Sequence, residues 1–130
     1  MKKKAHPFVK WVGGKMMKEN ELQEAIVSAL EVKGYFVYMN YQNIAGRFAG
    51  DSNSSSYGHY RSLVNQGWKK GIPDLHVIGK NIDLYIECKS KKGKISPAQQ
   101  EVMDTLVHFG REVRVVNDIS QIQDLLDMDL

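Results

Sequence analysis

Two short segments near the middle of the chain alternate between apolar and polar residues, as half-buried β-strands do. They cover residues 75–78 and 82–89. If Lys80-Asn81 forms a two-residue hairpin turn between them, Leu75 pairs with Ile86. Lys-Asn is not the favoured Asn-Gly turn, so this pattern leaves the turn type open.

That pairing sorts the side chains onto two faces of the hairpin, because directly opposed residues of an antiparallel pair point to the same side. The apolar face holds Leu75, Val77, Leu84 and Ile86. The other face holds Asp74, His76, Tyr85, Glu87 and Lys89. A slip of one residue would mix both faces, so the pattern itself selects the register.

The remaining elements follow from helical periodicity, caps and turn residues. We predict a helix at 19–33 ended by Gly34, a strand at 35–40, a long polar connection at 42–70, a helix at 96–109, a strand at 113–116 and a helix at 118–126. Together with the hairpin, these elements predict the order α-β-β-β-α-β-α. The sequence shows no internal repeat.

The predicted hairpin places Asp74 directly opposite Glu87. Like charges in that position destabilise a sheet, so a fold that keeps them usually holds a cation between them. Two carboxylates supply oxygen ligands for a hard divalent ion, and Lys89 adds a positive charge beside them. This set of groups suits metal-assisted phosphodiester hydrolysis. The alternative is an ordinary polar face on an amphipathic hairpin.

These residues resemble the VRR-type nuclease domain (virus-type replication and repair nuclease) of the PD-(D/E)xK superfamily. The matching stretches are Gly-Ile-Pro-Asp-Leu at 71–75, Ile-Glu-Cys-Lys-Ser at 86–90, Gly-Lys-Ile-Ser-Pro-Ala-Gln at 93–99 and Glu-Asn-Glu-Leu-Gln-Glu at 19–24. The resemblance covers residues 18 to about 126. It implies a single restriction-endonuclease-like αβββαβα domain of class α/β, with a mixed sheet flanked by helices.

The resemblance also implies the composition of the metal site. Asp74 and Glu87 would bind Mg²⁺ or Mn²⁺, helped by the backbone carbonyl of Cys88, and Lys89 would orient and activate the attacking water. Glu19 is the expected third acid, since it shares the helix face of Leu22. Glu21 is the second choice, and the helix dipole alone would also favour acids in this turn.

Three further residues lie near the predicted site. Ser96-Pro-Ala-Gln99 forms a capping box, while the family places a glutamine near the active site. The thiol of Cys88 faces the core in the predicted register, which fits a small buried hydrophobe better than a nucleophile. His76 is at most a neighbour of the site.

Composition and charge are compatible with a small nucleic-acid enzyme. The chain has 130 residues, 42% of them hydrophobic, and a formal net charge of +3. We predict no membrane segment, because no apolar run is long enough to span a bilayer. The candidate phosphate track consists of Lys69, Lys70, Lys91, Lys92 and Lys94. A solvated lysine loop explains Lys91 and Lys92 equally well when these two are taken alone.

We expect two parts in the chain: a flexible extension at 1–17 and the nuclease domain at 18–130. Pro7-Phe-Val-Lys-Trp-Val-Gly-Gly-Lys15 resembles the cofactor-binding opening of adenine-specific DNA methyltransferases. No Asp-Pro-Pro-Tyr type motif accompanies it, so we expect no methyl transfer. The single cysteine suits a reducing cytoplasm. We expect the protein to act in the cytoplasm of a bacterial host cell, where it could be encoded by a phage.

The predicted function is that of a metal-dependent DNA endonuclease, selective for branched DNA and acting as a homodimer in phage or mobile-element replication and repair. The dimer and the branched substrate are what the resemblance to stand-alone family members implies. In this chain, the expected interface elements are the 42–70 connection and the last helix. The alternatives are a nuclease-like module that binds DNA without cutting it, and a restriction-type or nicking nuclease for linear duplex.

Overall fold

The computed structural model describes residues 17–40 and 55–129. Its elements in chain order are α1 (Glu19–Lys33), β1 (Phe36–Met39), α2 (Ser55–Asn65), β2 (Leu75–Ile78), β3 (Asp83–Cys88), α3 (Pro97–His108), β4 (Glu112–Val116), a 3₁₀ helix (Ile119–Ile122) and α4 (Gln123–Asp127). The predicted extension lies outside the described residues except for Met17, and so does the first part of the predicted polar connection.

The strands form one four-stranded sheet in the order β1-β2-β3-β4. β1, β2 and β3 pair antiparallel, whereas β4 pairs parallel to β3. A parallel neighbour requires a crossover connection, and α3 supplies it. The predicted class, α/β with a mixed sheet flanked by helices, is confirmed.

The hairpin has the predicted register. Leu75 pairs with Ile86 and Val77 with Leu84. The Gly79 N–H donates to the Ile82 carbonyl at 2.8 Å, which closes a two-residue turn. No residue other than glycine has a positive φ in the described parts of the chain, which excludes the type I′ turn for Lys80-Asn81.

The core lies between one face of the sheet and the helices α1, the 3₁₀ helix and α4. α1 buries Leu22, Ile26 and Leu30, which recur at helical spacing. The sheet buries Leu75, Val77, Leu84, Ile86 and Cys88 on that face, which we term the core face. The opposite face, termed the site face, carries the side chains that alternate with them.

Two sequence predictions about helices were wrong in part. The connection predicted as irregular contains α2, whose residues Tyr60, Leu63 and Val64 follow helical spacing. The Trp68 ring packs edge-on against Tyr60, with ring centroids 5.4 Å apart. This local apolar contact favours a helix in a stretch whose Gly and Ser residues suggest a loop.

The last predicted helix is divided. Asp118 caps the 3₁₀ helix through its side chain, which accepts from the Ser120 N–H at 3.3 Å, and α4 begins only at Gln123. The short turn lets Ile119, Ile122 and Leu125 all reach the core. No helix among the described residues is long and apolar enough to cross a membrane.

Candidate active site

Asp74 stands immediately before β2, at the end of the sheet where β3 finishes. Its carboxylate accepts a hydrogen bond from the Cys88 N–H at 2.8 Å. Asn40 holds the same turn from the other side: its backbone N–H donates to the Asp74 carbonyl and its side-chain amide to the Pro73 carbonyl, both at 2.8 Å. The Asp74 carboxylate is therefore held by the end of β3, and the backbone that carries it is held by the residue that follows β1.

Gly71 brings the Pro73-Asp74 turn against the first turn of α3. It has φ +91°, a conformation that side chains disfavour. A Cβ atom at this position would lie 2.6 Å from the backbone carbonyl carbon and oxygen of Ala98. Only glycine permits this close approach of the two backbone segments. The stretches at 71–75 and 93–99, which both carry the family resemblance, are thus in direct contact.

Glu87 occupies the second-last position of β3 and is only 2% exposed. Its Oε2 accepts a hydrogen bond from the Gln99 side-chain amide at 3.2 Å, and the Lys89 Nζ lies 3.7 Å from the same oxygen. Burial first, and then the adjacent Asp74 carboxyl, raise the pKa of Glu87 to about 8; Lys89 opposes this shift, and Glu19 adds to it.

Glu19 supplies the third carboxylate from the first turn of α1. One oxygen each of Glu19, Asp74 and Glu87 lie within 4.8 Å of one another. Glu19 also accepts a hydrogen bond from the Ser90 N–H at 3.3 Å, which ties α1 to the end of β3. The structure therefore brings together the three acids expected from the sequence, and Glu21 is not part of this group.

Gln99 uses the two ends of its side-chain amide for different tasks. Its oxygen accepts from the Ser96 N–H at 2.9 Å, and the Ser96 hydroxyl accepts from the Gln99 N–H at 3.2 Å. This is the predicted capping box. The amide nitrogen is left to donate to Glu87. Both interpretations of Gln99, as a helix cap and as a neighbour of the site, describe its contacts.

The Cys88 side chain lies in the core, as predicted. Burial raises the pKa of this thiol far above its ordinary range, which leaves it a neutral, inert group at physiological pH. The role of the Cys88 carbonyl as a metal ligand stays a prediction.

His76 lies on the site face but outside the group of acids. It contacts the Tyr38 hydroxyl through Nδ1 and the Asp83 carboxylate through Nε2, each at 2.6 Å.

The basic residues expected to contact DNA are all exposed, on two segments that flank the acids. These residues are Lys69, Lys70, Lys91, Lys92 and Lys94. The first pair precedes the Pro73-Asp74 turn. The others lie on the loop from β3 to α3, which turns sharply where the Gly93 N–H donates to the Ser90 carbonyl at 2.9 Å. Their binding role stays a prediction.

Two residues that support the site, Asn40 and Gly71, were not predicted from the sequence to do so. Asn40 had no detectable signal, because its partners are more than thirty positions away in the chain. Gly71 gave an indirect signal: it opens the Gly-Ile-Pro-Asp stretch that carries the family resemblance, and glycine is the residue that permits a close backbone approach.

The donor set fits a hard divalent cation. All the converging side-chain ligands among the described residues are carboxylate oxygens, the atoms that Mg²⁺ and Mn²⁺ prefer. The pKa of Glu87 is raised because the carboxyl group is buried next to other carboxylates. A bound cation would offset this electrostatic repulsion.

One comparison with known proteins identifies the family. The model of the VRR-NUC domain matches residues 17–118 of the chain. No curated protein and no solved structure gives a significant match. The match spans α1 through β4 and includes all three acids, Lys89 and Gln99. A nuclease-type function acting on DNA follows from it. The chain belongs to the VRR-NUC family.

Proposed function

We propose that this protein is a Mg²⁺- or Mn²⁺-dependent DNA endonuclease. The observation that carries the proposal is the convergence of Glu19, Asp74 and Glu87 within 4.8 Å, next to the Lys89 ammonium. When bound there, the cation would lower the pKa of water and neutralise charge on the scissile phosphate. Asp74 and Glu87 would hold it, with Glu19 and the Cys88 carbonyl completing the ligand set.

The chain's own residues would position the remaining reactants. Two contacts hold Lys89 in place. Its ammonium lies against Glu87, and its backbone N–H donates a hydrogen bond to the Val116 carbonyl at 2.9 Å. From there, its ammonium would orient and activate the attacking water and offset charge on the phosphate. Gln99 would keep one oxygen of Glu87 engaged, so that the other faces the cation.

The lysines on the two flanking segments would bind the phosphates on either side of the cut. Lys69 and Lys70 lie before Asp74, and the group of lysines at 91–94 follows Glu87. Each such contact releases counterions from DNA, so the affinity should fall with increasing salt.

We further propose a homodimer that acts on branched DNA in phage or mobile-element replication and repair, in the cytoplasm of a bacterial host. Two symmetric cuts need two sites, and a twofold axis is the common way to supply them. Light scattering at micromolar concentration tests this part. A mass that stays at that of one chain as the protein is concentrated contradicts the dimer.

One experiment separates the proposal from its alternatives. Purified protein is incubated with junction, flap and linear duplex DNA, with Mg²⁺, with Mn²⁺ or with a chelator. The proposal expects metal-dependent cuts near the branch point. Binding without cleavage would favour a non-cleaving DNA-binding module. Preferred cleavage of the linear duplex would favour a restriction-type or nicking enzyme.

A further inference from the structure

A row of aromatic side chains crosses the site face beside the acids. Tyr38 of β1 is directly opposite His76 of β2, which is directly opposite Tyr85 of β3. Opposed residues point to the same side of a sheet, and the residues between them in each strand belong to the core face. With Phe36, which packs against Tyr38 at a centroid distance of 5.9 Å, these side chains form what we term the aromatic row.

Three rings of the aromatic row, those of Tyr38, His76 and Tyr85, contact one another closely. His76 stacks on Tyr85 with ring centroids 4.3 Å apart and planes inclined by 8°. A neutral imidazole satisfies both of its 2.6 Å contacts, since Nε2–H can donate to Asp83 while Nδ1 accepts from the Tyr38 hydroxyl. This chain of hydrogen bonds fixes the Tyr38 ring in advance of ligand binding, which lowers the entropic cost of that binding.

The rings at the β1 end of the row are open to solvent. Tyr38 is 43% exposed and Phe36 is 63% exposed. β1 is an edge strand. α1, the 3₁₀ helix and α4 lie on the core face, and α3 packs against β4. None of these helices covers the exposed ring surface of β1.

The aromatic row adjoins the acids. His76 follows Asp74 by two residues along β2, and Tyr85 precedes Glu87 by two residues along β3. Two residues of a strand span about 7 Å. A DNA strand with its phosphate at the acids therefore has neighbouring nucleotides within reach of these rings.

We propose that the aromatic row stacks against unpaired nucleobases of the DNA substrate next to the cleavage point. The inference rests on the proposed nuclease function and specifies its substrate class. Bases inside a duplex already stack on one another, so side-chain rings can stack only on unpaired ones. In one common RNA-binding module, aromatic rings on the face of a four-stranded sheet stack on two or three unpaired bases. The row thus favours DNA whose strand leaves the duplex at the site.

A second copy of the chain fits this surface less well. Tyr38 and Phe36 together expose roughly 200 Å², given the usual area of such side chains. A stable dimer buries about 800 Å² on each partner. The row is therefore too small for a stable protein interface by itself, but large enough for one or two bases.

The test measures DNA binding without metal, so that cleavage plays no part. The probe is a flap DNA with 2-aminopurine, whose fluorescence falls on stacking, at the first unpaired position. A fully paired linear duplex of the same sequence is the comparison. The main variant is Tyr38→Val, which removes the ring but keeps a side chain that favours strands. Tyr38→Phe keeps the ring, and Val32→Ala changes a side chain that is 89% exposed on the helix packed against the core face.

We expect Tyr38→Val to weaken flap binding by between about five-fold and about 150-fold, the equivalent of stacking one base. The fluorescence quenching should disappear, while binding of the linear duplex stays as in the wild type. Val32→Ala should keep both the affinity and the quenching. Tyr38→Phe should keep the quenching, with a smaller loss of affinity than Tyr38→Val, because it loses only the hydroxyl that contacts His76. Thermal melts identify any loss of fold, and Phe36→Ala then serves as the second ring-removal variant.

Wild-type flap affinity in a folded Tyr38→Val, or an equal loss for flap and linear duplex, would overturn the base-stacking surface. A change in molecular mass with Tyr38→Val would also overturn it, in favour of a second copy. Cleavage of the same flap by the wild type in Mg²⁺ tests the nuclease separately. Absence of cleavage together with ring-dependent quenching would reject the nuclease and still support the stacking surface.

Discussion

Gln99 donates its side-chain amide to the Glu87 carboxylate at 3.2 Å while its oxygen caps α3 at Ser96. A capping box is a purely local feature, and here it orients a group that contacts the acid cluster. The helix start and the site therefore depend on the same side chain. Because each end of the amide has its own partner, mutation can separate the structural role of Gln99 from its role at the site.

Gln99→Glu should keep the helix cap and still lose cleavage. Glutamate at this position of a capping box accepts from the Ser96 N–H as glutamine does. It cannot donate to Glu87, and it adds a like charge. A hydrogen bond to a charged group contributes about 1.5–3 kcal/mol, so we expect cleavage to fall roughly ten- to hundred-fold. Cleavage rates in Mg²⁺ and thermal melts check both parts.

Ser96→Ala is the matched control for Gln99. It removes the hydroxyl that accepts from the Gln99 N–H, and it should cost about 1 kcal/mol of stability. The Ser96 N–H and the contact from Gln99 to Glu87 are retained, so cleavage well below the melting temperature should stay close to wild type. Equal activity of Gln99→Glu and the wild type would limit Gln99 to capping.

The acids and Lys89 should each be needed for cleavage. Asp74→Asn is the informative change at the first acid, because an amide oxygen can still accept from the Cys88 N–H. We expect Asp74→Asn, Glu87→Gln and Lys89→Ala to reduce cleavage at least about a hundred-fold, a loss of a few kcal/mol of transition-state stabilisation. Asp104→Asn on the exposed surface of α3 is the control. Cleavage at the wild-type rate by Asp74→Asn would refute the site assignment.

The stability of the metal-free protein should fall as the pH rises through neutrality. The pKa of Glu87 is about 8 in the fold, against 4.5 for the free side chain. The folded form therefore keeps a proton on Glu87 that the unfolded chain releases above pH 4.5. The free energy of unfolding consequently falls as the pH rises from 4.5 to about 8. The slope approaches about 1.4 kcal/mol for each pH unit.

Urea unfolding between pH 5 and pH 8 measures this effect. The Glu87→Gln variant should show a flatter profile, because its side chain does not titrate. Mg²⁺ should stabilise the wild type more at pH 8 than at pH 6, since cation binding requires the deprotonated carboxylate. If stability changed with pH in the same way for the wild type and Glu87→Gln, Glu87 would be ruled out as the cause of the pH dependence.

Gly71→Ala should be more destabilising than Gly67→Ala. Both glycines have a positive φ, +91° and +107°, so both substitutions strain the backbone. Only at Gly71 would the new Cβ also meet the backbone of Ala98. We expect an additional loss of about 1–3 kcal/mol for this overlap. Unfolding in urea gives the difference, and equal losses would mean that the contact with α3 is unimportant.

The sequence determined the parts of the fold that depend on near neighbours. The register of the β2–β3 hairpin followed from alternation, because a two-residue turn leaves one pairing that buries all the apolar side chains. The bounds of α1 and the capping box of α3 followed from caps and helical spacing. The hairpin register also placed Asp74 beside Glu87, so the pairing of these two acids followed from the sequence alone.

The tertiary structure decided what depends on residues far apart in the chain. The approach of Gly71 to Ala98, the hydrogen bonds of Asn40 to the Pro73-Asp74 turn and the pairing of Tyr38 with His76 all join separate elements. No periodicity or spacing specifies such contacts, because they form only when helices and strands pack. The helix α2 also escaped prediction, and the contact between its Tyr60 ring and Trp68 forms within a stretch of loop-like composition. Local patterns of apolar residues, caps and turns thus determined the elements, and packing determined how they meet.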